Sequence, residues 1–295
     1  FEIKLLFFHK IEIESIPKRP TKKMIELLFL IKLLVAIAFV MGLSLIAENV
    51  SPKVAGILSG YPTGTLLTLF FFGLEFSPEF AAESAVYNMI GLVGSLSVVY
   101  IYYLTSKFFT KNCILYSVLF SISGYLVVVW LLHFIEINKY LAILIPLSFS
   151  FLCIYLFKDI ENITIQKKVQ LNYRIIFIRA FFASLLILVI STVPRFVGPT
   201  WSGLFSAFPV TLFPLLLIIH FTYSKEHVHT IIKNVPIGVF SLIIYSLTVS
   251  IVYPLYGIYF GTLIALSGAT LYLLVYRKIL NVVKNRKKVE AVKRD

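Results

Sequence analysis

The chain has 295 residues, of which 59% are hydrophobic and 14% charged, with a mean hydropathy of +0.92. Those values exclude an ordinary soluble domain and read as an all-α polytopic membrane protein. The net charge of +13 is spread over tails and short loops, so anionic membrane lipids, not nucleic acid, are the expected partners.

Residues 1–23 form a basic N-terminal tail in which Lys4, Lys10, Glu12, Glu14, Lys18 and Arg19 alternate with apolar residues. That is too charged for the core of a signal peptide and suits an amphipathic helix lying in the membrane interface. Nine spans follow, near 24–46, 54–75, 85–104, 113–134, 139–157, 175–193, 201–222, 235–252 and 256–276. Each is about 17–25 residues long, enough to cross the hydrocarbon at about 1.5 Å per residue. The break at 134–139 is short and predicts a tight antiparallel pair. The polar segment 158–174 is the longest internal linker, and 277–295 is a basic C-terminal tail.

Residues 24–104 reappear, without a gap, 147 positions later. Lys32 becomes Arg179. Pro52, Gly56, Ser59, Pro62, Ser77, Glu79 and Gly91 become Pro199, Gly203, Ser206, Pro209, Ser224, Glu226 and Gly238, and Tyr61 becomes Phe208. The organisation read from this is a first four-helix repeat over 24–134, a connecting helix over 135–157, the linker 158–174 and a second four-helix repeat over 175–276. Five spans separate the start of one copy from the start of the other. An odd number turns the second copy upside down, so two inverted four-helix repeats plus a connecting helix are expected. Internal duplication of this kind is common in secondary transporters, whose sites lie at the interface of the copies.

Counting Lys and Arg by side of the membrane gives 8 with the N-terminal tail and 17 with the 158–174 linker and the C-terminus. The excess places the C-terminus in the cytoplasm, and the basic N-terminal tail opposes that assignment. The remaining two of the 27 cations, Lys32 and Arg179, are repeat equivalents inside spans. A charge in the hydrocarbon costs several kcal/mol unless it snorkels or faces a polar cavity. Snorkelling is open to both, because each sits near the start of its helix and has a long stem. If they face inward, they favour an anionic substrate group or pair with Glu26 or Glu75.

The segments GILSGYPTGT (56–65) and GLFSAFPVT (203–211) place Pro62 and Pro209 inside spans. Each proline removes a backbone hydrogen bond and clashes with the preceding turn, so the helix is expected to kink or open. Gly56, Gly60 and Gly64 remove bulk there, and Thr63, Thr65 and Thr211 are placed to rebond freed carbonyls. Interrupted helices at corresponding places in two halves point to a transport site; small-residue helix packing is the alternative origin of the same glycines. Ser77 with Glu79, and Ser224 with Glu226, read as helix starts. Cys113 and Cys153 lie in apolar stretches and read as small core residues rather than a disulfide or metal pair. His220 ends a span, His133 reads as interfacial, and His227 and His229 are too close in sequence to share a helix face for a metal. No catalytic constellation, cofactor motif or metal-ligand cluster is legible.

The pattern of an early Lys, a small-Gly-Leu…Phe-Pro-Thr helix and Ser-x-Glu before the third helix resembles the GlpM-like membrane proteins. It is carried by Lys32, Gly56, Tyr61, Pro62, Thr63, Ser77 and Glu79, and by Arg179, Gly203, Phe208, Pro209, Ser224 and Glu226. The resemblance implies a scaffold similar to the drug/metabolite transporters, whose members pair or fuse inverted halves, and it brings no substrate. Tyr61 and Arg179 depart from the pattern's Phe and Lys, and Lys32 stands where multidrug members carry a Glu.

The expected function is a secondary transporter or flippase, not an enzyme, moving a small anionic or amphipathic solute by alternating access. Its substrate-binding residues are expected to be Lys32, Arg179, Tyr61, Pro62, Thr63, Phe208, Pro209, Thr211, Gly60 and Gly64, with no cofactor or metal. An oligomer is compatible with this reading. The alternative is a non-transporting scaffold or assembly subunit.

Overall fold

The computed structural model describes residues 30–31, 34, 56–58, 60–135, 137–163, 177, 181, 185, 189–190 and 194–292. Lys32 and Arg179 lie outside the described residues, as do residues 1–23 and most of the linker 158–174. The described chain is helical, with no strand: α1 Thr63–Glu75, α2 Pro78–Phe108, α3 Cys113–His133, α4 Lys139–Leu156, α5 Pro194–Ser206, α6 Leu212–Thr222 and α7 Lys225–Val292. Five of the described segments are long and apolar enough to cross a membrane: Gly56–Glu75, Pro78–Phe108, Cys113–His133, Lys139–Leu156 and Lys225–Leu280. That is compatible with an integral membrane protein.

Local chemistry fixes where the helices begin and end. Ser77 is extended (φ −168°, ψ 163°), as a residue before proline prefers, and Pro78 opens α2. The Ser77 Oγ accepts the Phe80 N–H at 3.0 Å, and Glu79 lies in the first turn, where the helix dipole favours a carboxylate. Asn138 caps α4 in the same way, accepting from Leu141 N at 2.8 Å. Two apparent helices are bent at glycine. Gly198 divides α5 (φ 72°, ψ −177°) and Gly257 divides α7 (φ 74°, ψ 175°), a backbone region essentially reserved for glycine. Pro199 then restarts α5 with its φ already suited to a first helical turn.

Hydropathy underestimates the helix lengths. The span expected at 85–104 is the 31-residue α2, and the spans expected at 235–252 and 256–276 are the two limbs of α7. Glu79, Glu83 and Lys107 depress the mean hydropathy at the ends of α2, while backbone bonding continues past the apolar window. The predicted spans 113–134 and 139–157 agree closely with α3 and α4.

α2 is the central helix, with 78% of its most apolar stretch buried, against 22% for both α3 and α4. The latter two touch the rest through narrow stripes at helical spacing. Ser117, Ser121, Tyr125, Val129 and Leu132 form the stripe of α3; Ala142, Pro146, Ser150 and Cys153 form that of α4. Their outward residues, including Leu119, Trp130, Leu144 and Phe151, are large and exposed, as are Tyr259, Phe260 and Leu263 beyond Gly257. In water such a belt would aggregate; facing lipid tails it is the expected surface. The chain after α4 is pinned to the start of α7: Ile163 N donates to Thr230 Oγ1 at 2.9 Å, and Asn234 Nδ2 donates to Asn162 Oδ1 at 3.0 Å. The Lys233 ammonium bonds the Lys158 and Ile160 carbonyls.

The closest packing needs no side chain at all. A Cβ at Gly60 would land on the Gly238 backbone, and one at Gly56 would meet the Ile231 carbonyl and Asn234 Cβ. Shift each residue by 147 positions and the same contacts recur. Gly91 faces Ala207, and a Cβ at Gly203 would meet the Ser84 carbonyl and Tyr87 Cβ. Contacts advance together along both crossings, from Gly56 with Ile231 to Gly60 with Gly238, and from Gly203 with Ser84 to Ala207 with Gly91. Residues 56–60 therefore run in the same direction as α7, and residues 199–207 in the same direction as α2. Lipid tails are as apolar as leucine, so association rests on such close approach rather than on burial.

Gly60→Leu is therefore expected to lower stability by about 3 kcal/mol or more in detergent unfolding. Gly268→Ala is the control: its Cβ would stand 3.4 Å from the nearest atom, Ile244 Cγ2, and its stability is expected to stay within about 1 kcal/mol of the parent.

Candidate functional site at two helix breaks

Pro62 and Pro209 break their helices by the same hydrogen-bond pattern. Without an N–H, Pro62 cannot bond the Leu58 carbonyl, and Tyr61 N takes it instead at 2.9 Å. Thr63 N then bridges to the Tyr61 carbonyl at 2.7 Å, and Leu66 N restarts α1 on the Pro62 carbonyl at 2.6 Å. In the second copy Phe208 N takes Phe205 O at 3.1 Å, Val210 N takes Phe208 O at 2.8 Å, and Phe213 N takes Pro209 O at 2.8 Å. All three bonds match their counterparts at a 147-residue offset. Every backbone group that finds a partner here avoids the large cost of an unsatisfied dipole in hydrocarbon.

Side chains complete the satisfaction. Thr63 Oγ1 donates to Tyr61 O at 3.3 Å. Thr68 Oγ1 reaches Gly64 O and Thr65 O at 3.0 and 3.1 Å. Of the threonines expected to rebond freed carbonyls, Thr63 bonds at the break, whereas Thr68 bonds carbonyls inside α1. Across the copies, Ser95 Oγ donates to the Ala207 carbonyl, and the Tyr125 hydroxyl donates to Leu204 O at 2.7 Å.

The breaks flank a cavity of about 40 Å³, room for roughly three water molecules. Gly60, Tyr61, Gly64, Phe208, Pro209 and Thr211 line it, with Thr65 and Ser95 adding hydroxyls. Tyr61 reaches away to Thr270 (hydroxyl oxygens 3.3 Å apart), and Phe208 packs edge-on against Tyr125 at 5.0 Å. Pro62 and Thr63 are buried at the start of α1. The structure thus gathers six of the sequence-predicted site residues at one cavity and puts Pro62 and Thr63 beside it. Lys32 and Arg179 lie outside the described residues.

Sequence reasoning missed three polar clusters. Asn88, fully buried in α2, donates Nδ2 to Ser206 Oγ at 2.8 Å and accepts from Ser246 Oγ at 2.7 Å. It ties the broken helix and α7 of the second copy to α2 of the first. Its signal was legible, since an amide in the middle of an apolar span must find partners. Ser106 Oγ meets His229 Nε2 at 2.8 Å. Tyr102 and Cys113 converge on His220, with the Tyr102 hydroxyl 2.9 Å from Nδ1 and the Cys113 thiol 3.8 Å from Nε2. Cys113 is thus a half-buried thiol on a histidine, not a core filler, whereas Cys153 is buried. Distant partners of this kind carry no local pattern. His133 stacks on Trp201 at 4.3 Å.

Comparison with protein-family models, curated proteins and solved structures finds no match to this chain.

A double-mutant cycle of Asn88→Ala and Ser246→Ala tests the buried network. Unfolding free energies in detergent are expected to show a coupling of about 0.6 kcal/mol, the average for polar pairs in a membrane protein, and no more than about 1.7 kcal/mol.

Proposed function

We propose that this chain is a nine-span integral membrane protein, built on a GlpM-like and drug/metabolite transporter-like scaffold, with two inverted four-helix repeats joined by the helix after residue 135. The observation that carries the proposal is the crosswise, repeated packing of the two proline breaks: each broken helix docks on the third helix of the other copy. The direction of those contacts supports inversion. Residues 56–75 lead through Phe76 and Ser77 into α2 and run back against it, while residues 199–207 run along α2. The second helices of the two copies then point opposite ways.

In the proposed mechanism the protein is a secondary transporter or flippase for a small anionic or amphipathic solute. The N-termini of α1 and α6 both end at the cavity, and half-helix N-termini suit anionic groups in broken-helix transporters. Lys32 and Arg179 supply the charge in this reading. Opening one crossing while the other stays closed exposes the cavity to one side, and exchanging the two exposes it to the other. A cavity of about 40 Å³ corresponds to the closed intermediate of that cycle. The cytoplasm is assigned to the side of the C-terminus, on the basic excess.

The same small cavity favours a second reading, a non-transporting scaffold in which the crossings never part. Vesicle flux separates the two. Under the transport reading at least one anionic candidate crosses in proteoliposomes of the intact chain, and Lys32→Gln with Arg179→Gln lowers that flux at least tenfold. Unchanged flux in that variant removes the charge assignment, and no flux of any solute favours the scaffold. In a background without Cys113 and Cys153, joining Tyr61→Cys to Thr270→Cys through a short bifunctional methanethiosulfonate, which forms a disulfide at each end, is expected to stop transport, with activity restored when reductant cleaves the disulfides.

A further inference from the structure

At the opposite end of α2 from Ser77, away from the helix breaks, three reactive groups meet. His220 sits in the last turn of α6, with its ring nitrogens facing two different partners: Nδ1 lies 2.9 Å from the Tyr102 hydroxyl and Nε2 lies 3.8 Å from the Cys113 thiol. Cys113 is the first residue of α3, set there by Asn112 in the left-handed region (φ 52°). Its sulfur also lies 3.5 Å from the Ser106 carbonyl, a second acceptor for the thiol proton. Nucleophile, base and a third group orienting the base is the arrangement by which weak nucleophiles are activated. In the tautomer whose Nδ1–H donates to the Tyr102 oxygen, the Nε2 lone pair faces the thiol.

The thiol opens on an outward-facing groove of about 640 Å³ between α3 and α6. Its wall is divided. Thr110 and Asn112 line the end at the loop, whereas Leu115, Val118, Leu217 and Phe221 line the remainder. Leu115 and Phe221 are also exposed on the apolar outer surface. Lys107 and Lys111, both exposed, flank the loop end. The site therefore offers an apolar groove for a chain, a nucleophile at the polar boundary and two cations beyond it.

The geometry points to Cys113 as a site of covalent acylation, taking a fatty acyl group from a long-chain acyl thioester such as acyl-coenzyme A. His220 Nε2 accepts the thiol proton, and the thiolate attacks the acyl carbonyl. The new carbon–sulfur bond forms as the donor's breaks, and the departing thiol carries away the proton from the imidazolium. No oxidant or reductant enters. The acyl chain then occupies the groove between α3 and α6, and Lys107 and Lys111 meet the donor's phosphates. Tyr102 is a positioning residue, acting through the imidazole. The inference is independent of the transport reading.

The intact protein in detergent micelles, incubated with palmitoyl-coenzyme A and followed by intact mass, tests it. One acyl group is expected, removable by hydroxylamine, retained in Cys153→Ser and lost in Cys113→Ser. In His220→Gln, whose folding is checked by thermal unfolding, acylation and iodoacetamide alkylation of Cys113 are both expected to slow at least tenfold, and Tyr102→Phe several-fold. In the parent, Cys113 is expected to be alkylated faster than a free model thiol at the same pH. Absence of acylation in the parent, acylation at Cys153, or an unchanged rate in a folded His220→Gln protein overturns the proposal. A thiol alkylated rapidly yet never acylated overturns the acyl assignment.

Discussion

The structure depends on backbone meeting backbone where no side chain intervenes. Gly60 against Gly238, and Ala207 against Gly91, bring helices from different copies closer than any larger residue permits. In a bilayer this constraint replaces the hydrophobic effect, because moving a leucine from lipid to protein changes little. Dispersion across a tight seam and hydrogen bonds across it remain as driving forces. Both occur here, and the buried Asn88–Ser206–Ser246 network lies beside one of the seams.

The same seam governs what the helix breaks can do. A proline in the middle of a span leaves carbonyls without partners, in a medium that offers no water to bond them. Residues 57–66 and 204–213 solve this identically, by a tightened last turn, a bridge across the proline and a restart on the proline's own carbonyl. Each break is thus bonded mainly within its own backbone, with Ser95 and Tyr125 of neighbouring helices bonding the Ala207 and Leu204 carbonyls of the second. In the proposed transport cycle that property lets a crossing open and reclose, with two equivalent crossings supplying two equivalent gates.

Much of this was legible in the sequence because it is local or periodic. The duplication, the proline breaks, the Ser77 cap and the limits of α3 and α4 follow from composition and spacing. Helix ends were less legible where charged residues extend a helix beyond the apolar window, as at Glu79, Glu83 and Lys107 of α2. What the sequence does not carry is pairing. Nothing in GILSGYPTGT says that Gly60 will meet Gly238 rather than its own copy's Gly91, although small residues at both positions recur 147 residues on, Gly60 as Ala207 and Gly91 as Gly238. The meeting of Cys113 with His220 was equally hidden, since the residues are 107 positions apart, and Cys113 alone reads as a small core residue and His220 as the end of a span. Of the candidate site, the glycines, prolines and aromatics at the cavity were predictable from helix-breaking chemistry. The hydroxyls of Ser95 and Tyr125 that satisfy the second break come from helices whose approach only the fold reveals.

The proposed head-to-foot relation of the copies makes the turn at Ser77 and its equivalent at Ser224 the sharpest points to examine. Each joins the second and third helices of its copy, and in the proposed arrangement they lie on opposite faces of the membrane. Single cysteines at these two positions, in a background without Cys113 and Cys153 and in sealed vesicles of known orientation, can be labelled with a membrane-impermeant maleimide. The account predicts that one position reacts only from outside and the other only after permeabilisation. Labelling of both from the same side would contradict it.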